Sequence, residues 1–146
     1  MSPPLEKTIN TWMSLVMKNS IGNFMRFAKE KNYSLPQLKT LIHLSQNVDC
    51  NISTLGDEFG VTNAAISQLM EKMVQQGLVL RTEDPQDRRH KVLVLTDEGK
   101  QIADESLVAR HNWLSKLVNV LNQEEQDQVD AALRLLIEKS VLLDES

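Results

Sequence analysis

Asp84-Pro85-Gln86-Asp87-Arg88-Arg89-His90-Lys91-Val92-Leu93-Val94-Leu95-Thr96-Asp97-Glu98-Gly99 is the stretch that decides the fold. Its Asp-Pro start favours turn initiation. Two arginines and a lysine follow at the turn, and Val92 to Leu95 is an apolar run suited to a strand. Thr96 is a candidate helix N-cap, with Asp97 and Glu98 in the first turn, where the helix dipole favours negative charge. Leu78 to Arg81 reads as the partner strand. The outcome is a short hairpin with arginines at its tip that feeds a helix. That is the shape of a wing able to grip a nucleic-acid backbone.

The residues upstream read as short helices. Ser34 caps a helix with Gln37 at the capping-box position, and Pro36 is tolerated in its first turn. Leu38, Leu41, Ile42 and Leu44 give that helix a buried face, and Asn47 to Asn51 reads as a turn. Ser53 or Thr54 opens a third helix that runs through Phe59, with Gly60 as its stop. Thr62 caps the next helix, whose apolar positions are Ala65, Ile66, Leu69, Met73 and Val74, and Gly77 closes it. Two short helices joined by Gly60-Val61-Thr62 and followed by a hairpin make a winged helix-turn-helix.

Long helices flank this unit. Leu5, Ile9, Trp12, Met13, Val16, Met17, Phe24 and Ala28 recur at helical spacing over residues 5–31. From Thr96 the pattern is helical for about 25 residues, and Asn122 with Glu125 three residues on caps a last helix. The apolar content of residues 5–28 and 129–143 exceeds what one small winged domain needs to cover. The expected class is therefore mainly α with a small β-hairpin. Residues 34–95 form the winged lobe of a single unit over 1–146, and residues 1–31 and 100–146 supply helices for a homodimer.

Bulk properties bound the function. The 146 residues carry a net charge of −4. Residues 1–99 hold 11 basic and 11 acidic side chains, so the whole excess lies in residues 100–146. Phosphate contact is thus disfavoured in the last third and open elsewhere. Cys50 is the only cysteine, which excludes an internal disulfide and makes the cytoplasm the expected compartment. No run approaches the roughly 18 apolar residues of a membrane helix. His43, His90 and His111 lack metal-site spacing, no nucleotide-binding glycine pattern or nucleophile elbow occurs, and no cofactor is expected.

The capped helix at 62 carries the candidate chemistry. Ile66 and Leu69 are expected to face inward, and Thr62, Asn63, Ala64, Ser67 and Gln68 outward. Asn and Gln can pair bidentately with adenine, and Ala can touch a thymine methyl. Lys72 is the only cation on this helix. Arg88 and Arg89 suit a minor groove, whose negative potential attracts guanidinium. Asp84 or Asp87 is expected to pair with one of them.

Gly77-Leu78-Val79 with Arg81, then Asp84-Pro85-Gln86-Asp87-Arg88-Arg89, then Leu95-Thr96-Asp97-Glu98-Gly99, resembles the MarR family of multiple antibiotic resistance regulators. Order and length of elements extend the resemblance over nearly the whole chain. It implies a homodimer that binds a pseudo-palindromic operator on double-stranded DNA and usually represses transcription. Arg88 falls where the family's arginine typically reaches the minor groove, whereas Gln86 stands where the family commonly has arginine. Many relatives release DNA on binding small aromatic acids, and Trp12, Met17, Phe24, His43 and Trp113 are the expected liners of such a pocket. Redox-sensing relatives carry a reactive cysteine in the first helix, which this chain lacks.

The reading from a different class is a winged-helix module that binds protein rather than DNA. Arg88→Ala is expected to weaken operator binding without unfolding the dimer. Gln68→Ala is expected to cost roughly 1–3 kcal/mol of discrimination at one base pair. Gel-shift titrations of folded variants against matched and mismatched duplexes report both.

Overall fold

Ser34 and Gln37 start a helix by satisfying each other's backbone. The Gln37 N–H donates to Ser34 Oγ at 3.3 Å, and the Ser34 N–H donates to Gln37 Oε1 at 2.8 Å. In the computed structural model, which describes residues 4–46, 52–86 and 91–144, such local closures delimit most helices. The elements are α1 (Pro4–Glu30), α2 (Leu35–Gln46), α3 (Ile52–Phe59), α4 (Asn63–Gln75), β1 (Val79–Glu83), β2 (Lys91–Leu95), α5 (Asp97–Val120) and α6 (Gln123–Asp144). The architecture is mainly helical with a two-stranded antiparallel hairpin, as the pattern predicts. Its register pairs Val79 with Leu95 and Glu83 with Lys91, so β1 runs two residues beyond the expected Arg81.

Left-handed residues stop the helices. Asn32 (φ 58°) ends α1, with the Tyr33 N–H returning to the Ala28 carbonyl. Gly60 (φ 64°) follows α3 and Gly77 (φ 71°) follows α4. At Gly77 the N–H groups of Gly77 and Leu78 turn back to the carbonyls of Val74 and Met73, a closed double loop that satisfies two orphan acceptors. α3 begins at Ile52, ahead of the expected Ser53. The expected turn over residues 47–51, with Cys50, lies outside the described residues.

The chain divides into two compact units, residues 1–111 and 112–146. The first has an aliphatic core. Leu38 and Leu41 of α2, Leu55 of α3, Ile66, Met70 and Met73 of α4, and Leu78 and Val79 at the hairpin are essentially inaccessible. Burying one such side chain contributes roughly 1.5–3 kcal/mol. The buried stripe of α4 is Ile66, Met70 and Met73. Ala65, expected as a core position, is exposed and Leu69 is half-buried, because α4 is rotated so that Met70 faces inward. On α1 only Ser20, Phe27 and Ala28 are buried, while Leu5, Trp12, Met13 and Met17 remain exposed. Lys31, at the end of α1, pairs with Glu105 of α5 at 3.0 Å. The Gln101 amide and then Lys31 hold the Glu105 carboxyl below the usual carboxylate range.

In the second unit Asn122 and Glu125 form the expected reciprocal cap, at 3.0 and 2.8 Å. Apart from half-buried Gln126, the described side chains of α6 are exposed, including Leu133, Leu136, Ile137 and Val141. Among the described residues no helix is long and apolar enough to cross a membrane.

Thr96 fastens the start of α5 to the end of α4. Its hydroxyl donates to the Gly77 carbonyl at 2.6 Å and accepts the Gly99 N–H at 3.0 Å. Its own N–H donates to the Leu78 carbonyl at 3.1 Å. A Cβ on Gly99 would overlap that same Leu78 oxygen, so only glycine permits the approach. Gly99→Ala is expected to destabilise the chain by roughly 1–3 kcal/mol, as overpacking does. Gly22→Ala, in the interior of α1 with open space around it, is expected to stabilise it by roughly 0.5–1 kcal/mol. Urea unfolding of the two variants measures the contrast.

Candidate nucleic-acid interface

The N-terminus of α4 is built for presentation. Thr62 is extended (φ −69°, ψ 152°) and its hydroxyl accepts the Ala65 N–H at 3.2 Å. The first turn of α4 carries no acidic side chain, so the positive end of the helix dipole is left unmasked. Thr62, Asn63, Ala64 and Gln68 are exposed as expected, as is Lys72 one turn further on. Ser67 is half-buried, at the border of this face. The turn that sets α3 against α4 is tight. The Val61 N–H returns to the Gly56 carbonyl at 3.0 Å, and a Cβ on Gly56 would stand 2.7 Å from Asn63 Oδ1. Asn63 therefore lies over Gly56 at the base of the helix, next to the exposed Ala64.

The hairpin begins as the Asp-Pro signal predicts. The Gln86 N–H donates to Asp84 Oδ1 at 2.8 Å, a side-chain turn over Pro85. Arg88 and Arg89, and the expected arginine partner of Asp84 or Asp87, lie outside the described residues. One feature was not expected: Arg81 of β1 meets Glu71 of α4 at 3.2 Å. Both side chains are substantially exposed, so this pair adds little stability. It does join the hairpin's first strand to α4. Ten residues separate the partners, and the turn between their elements hides the match from any periodicity reading.

Two of the expected pocket liners are brought together. Phe24 and His43 share a cleft of about 480 Å³ with Ile21, Met25, Leu35 and Ile42, and with the charged Lys39, Glu58 and Arg110. His43 Nδ1 sits 2.9 Å from Glu58 Oε2, and its ring meets Phe59 edge-on. Trp12 and Met17 are not among the side chains lining this cleft. Trp12 sits in a shallow recess of α1 with Lys7, Thr8, Thr11 and Leu15, and Met17 is exposed. The reason is helical rise: Trp12 is 12 residues from Phe24, about 18 Å along the axis. Trp113 belongs to the second unit and is half-buried. Lys39, Glu58 and Arg110 were missed because they look like ordinary surface charges in the sequence.

Comparison with known proteins gives this geometry a context. The model of the MarR family matches residues 33–91, which span α2 to the start of β2. The transcriptional repressor MprA of Escherichia coli (strain K12) is 24% identical over 139 residues, covering 93% of this chain and 79% of that protein. The transcriptional regulator Tm0710 from Thermotoga maritima superposes with a TM-score of 0.82 at 20% identity, over 98% of both chains. A mutant of S. aureus MepR, solved bound to an oligodeoxyribonucleotide, superposes at 0.69 with 19% identity, over 90% of this chain and 96% of that one.

The Thr62 cap separates helix stability from surface chemistry. Thr62→Ala is expected to cost about 1 kcal/mol through loss of the Ala65 N–H acceptor, whereas Thr62→Ser retains most of it. Thermal melts of both variants check this.

Proposed function

Because this chain belongs to the MarR family through residues 33–91, we propose that it is a repressor that grips a pseudo-palindromic operator as a homodimer and releases it when a small aromatic ligand binds. It is a transcriptional regulator rather than an enzyme. The observation that carries the DNA reading is the capped end of α4. Thr62, Asn63, Ala64 and Gln68 stand exposed there on a helix whose first turn carries no acidic side chain. Free backbone N–H groups at such a terminus favour phosphate, and the short polar side chains suit base edges in a major groove. Two such helices, presented by a two-fold dimer, enter successive major grooves about 10 base pairs apart, with Arg88 and Arg89 in flanking minor grooves.

The homodimer is supported by apolar surface. Leu133, Leu136, Ile137 and Val141 of α6 are exposed, as are Leu5, Met13 and Met17 of α1. Surface of this extent marks an association site. The ligand reading rests on the cleft holding Phe24 and His43, where apolar walls carry Lys39 and Arg110 as partners for a carboxylate. A ligand there releases DNA only if it binds one arrangement of the dimer better than the other.

The second reading, a protein-binding module without DNA affinity, is favoured by the single cation of α4, Lys72, and the net charge of −4. A salt titration against a selected duplex separates the two. On the repressor reading, log affinity falls linearly with log salt, with a slope near −0.9 per phosphate neutralised. Light scattering gives twice the chain mass, and a small aromatic acid lowers the affinity. No measurable duplex binding at low salt favours the module.

A further inference from the structure

The C-terminal end of α4 is held by a buried amide that helix capping alone does not explain. Gln37 is 1% exposed. Its Oε1 accepts the Ser34 N–H, and its Nε2 donates to Gln76 Oε1 at 2.6 Å, across 39 residues of sequence. Gln76 is the C-cap of α4 and is itself exposed. One side chain thus closes the start of α2 and ties it to the far end of the helix whose near end carries Thr62, Asn63 and Ala64.

This tie is directional, as are the Thr96 bonds just beyond the helix end, whereas the core seat of α4 is not. Ile66, Met70 and Met73 press α4 onto the core through apolar contact, which is non-directional and resists removal more than tilting. α4 has 13 residues and is about 20 Å long. A tilt of about 3° at Gln76 therefore moves the Thr62 end by about 1 Å, more than the roughly 0.5 Å that a preorganised contact tolerates. We propose that Gln37 is a positioning residue for sequence recognition: through Gln76 it sets the direction in which α4 offers its N-terminal face. α2 also lines the Phe24–His43 cleft through Leu35, Lys39 and Ile42. The same amide is then the polar link from the cleft wall to α4. The inference rests on the reading that α4 enters a duplex.

The test uses exposed Gln76, so that the core stays intact, in the full chain. Gln76→Ala removes the acceptor, whereas Gln76→Glu keeps an oxygen for the Gln37 amide. Affinities for a selected duplex and for a random-sequence duplex are measured at one salt concentration, with folding checked by circular dichroism. Their ratio cancels changes in net charge and in the fraction folded. Gln76→Ala is expected to lower the ratio about tenfold or more, the scale of one lost bidentate base contact. Gln76→Glu is expected to stay within about twofold of wild type on the same scale. An unchanged ratio in Gln76→Ala overturns the proposal, as does an equal loss in Gln76→Glu. Wild-type chain that prefers no duplex overturns the DNA reading and the proposal with it, an outcome distinct from wild-type preference that survives Gln76→Ala.

Discussion

The constraint on which the winged unit depends is the approach of the first turn of α5 to the end of α4. Four hydrogen bonds converge on Thr96, two of them reaching the carbonyls of Gly77 and Leu78. Gly77 leaves α4 in a left-handed conformation, Leu78 goes into the core, and Val79 starts the hairpin. Within three residues the chain must stop a helix, bury a side chain and begin a strand. Thr96 satisfies the carbonyls this leaves over, and Gly99 has no side chain to block the contact. The direction of the hairpin relative to α4 follows from this knot, and the exposed Glu71–Arg81 pair adds a weak link between the two.

What could be read from the sequence was what is local. The caps at Ser34, Thr62, Thr96 and Asn122 involve partners three residues away, and each is found where the residue types put it. The positive φ at Gly60 and Gly77 follows the same logic. What could not be read depends on how helices rotate and cross. The apolar residues of α4 span Ala65 to Val74 around more than half of its circumference, so periodicity does not say which of them face the core. Packing against α2, α3 and β1 decides, and it buries Met70 while Ala65 stays exposed. The links Gln37–Gln76, Glu71–Arg81 and His43–Glu58 join different elements, and no spacing rule announces them. The pocket expectation favoured Trp12 by residue type, whereas position along α1 selects Ile21, Phe24 and Met25.

The acidic excess lies beyond residue 99, and residues 1–99 sum to zero. On the repressor reading, that leaves affinity to a few placed groups rather than to bulk attraction, which suits discrimination more than indiscriminate binding.

Two of the three side chains under α4, Met70 and Met73, are thioethers without a branch at Cβ. Methionine has three rotatable bonds and a polarisable sulfur, and it refills irregular gaps by changing rotamer. A helix resting on such a cushion takes little of its direction from the core beneath it, and oxidation of either sulfur would replace part of that apolar seat with a polar sulfoxide.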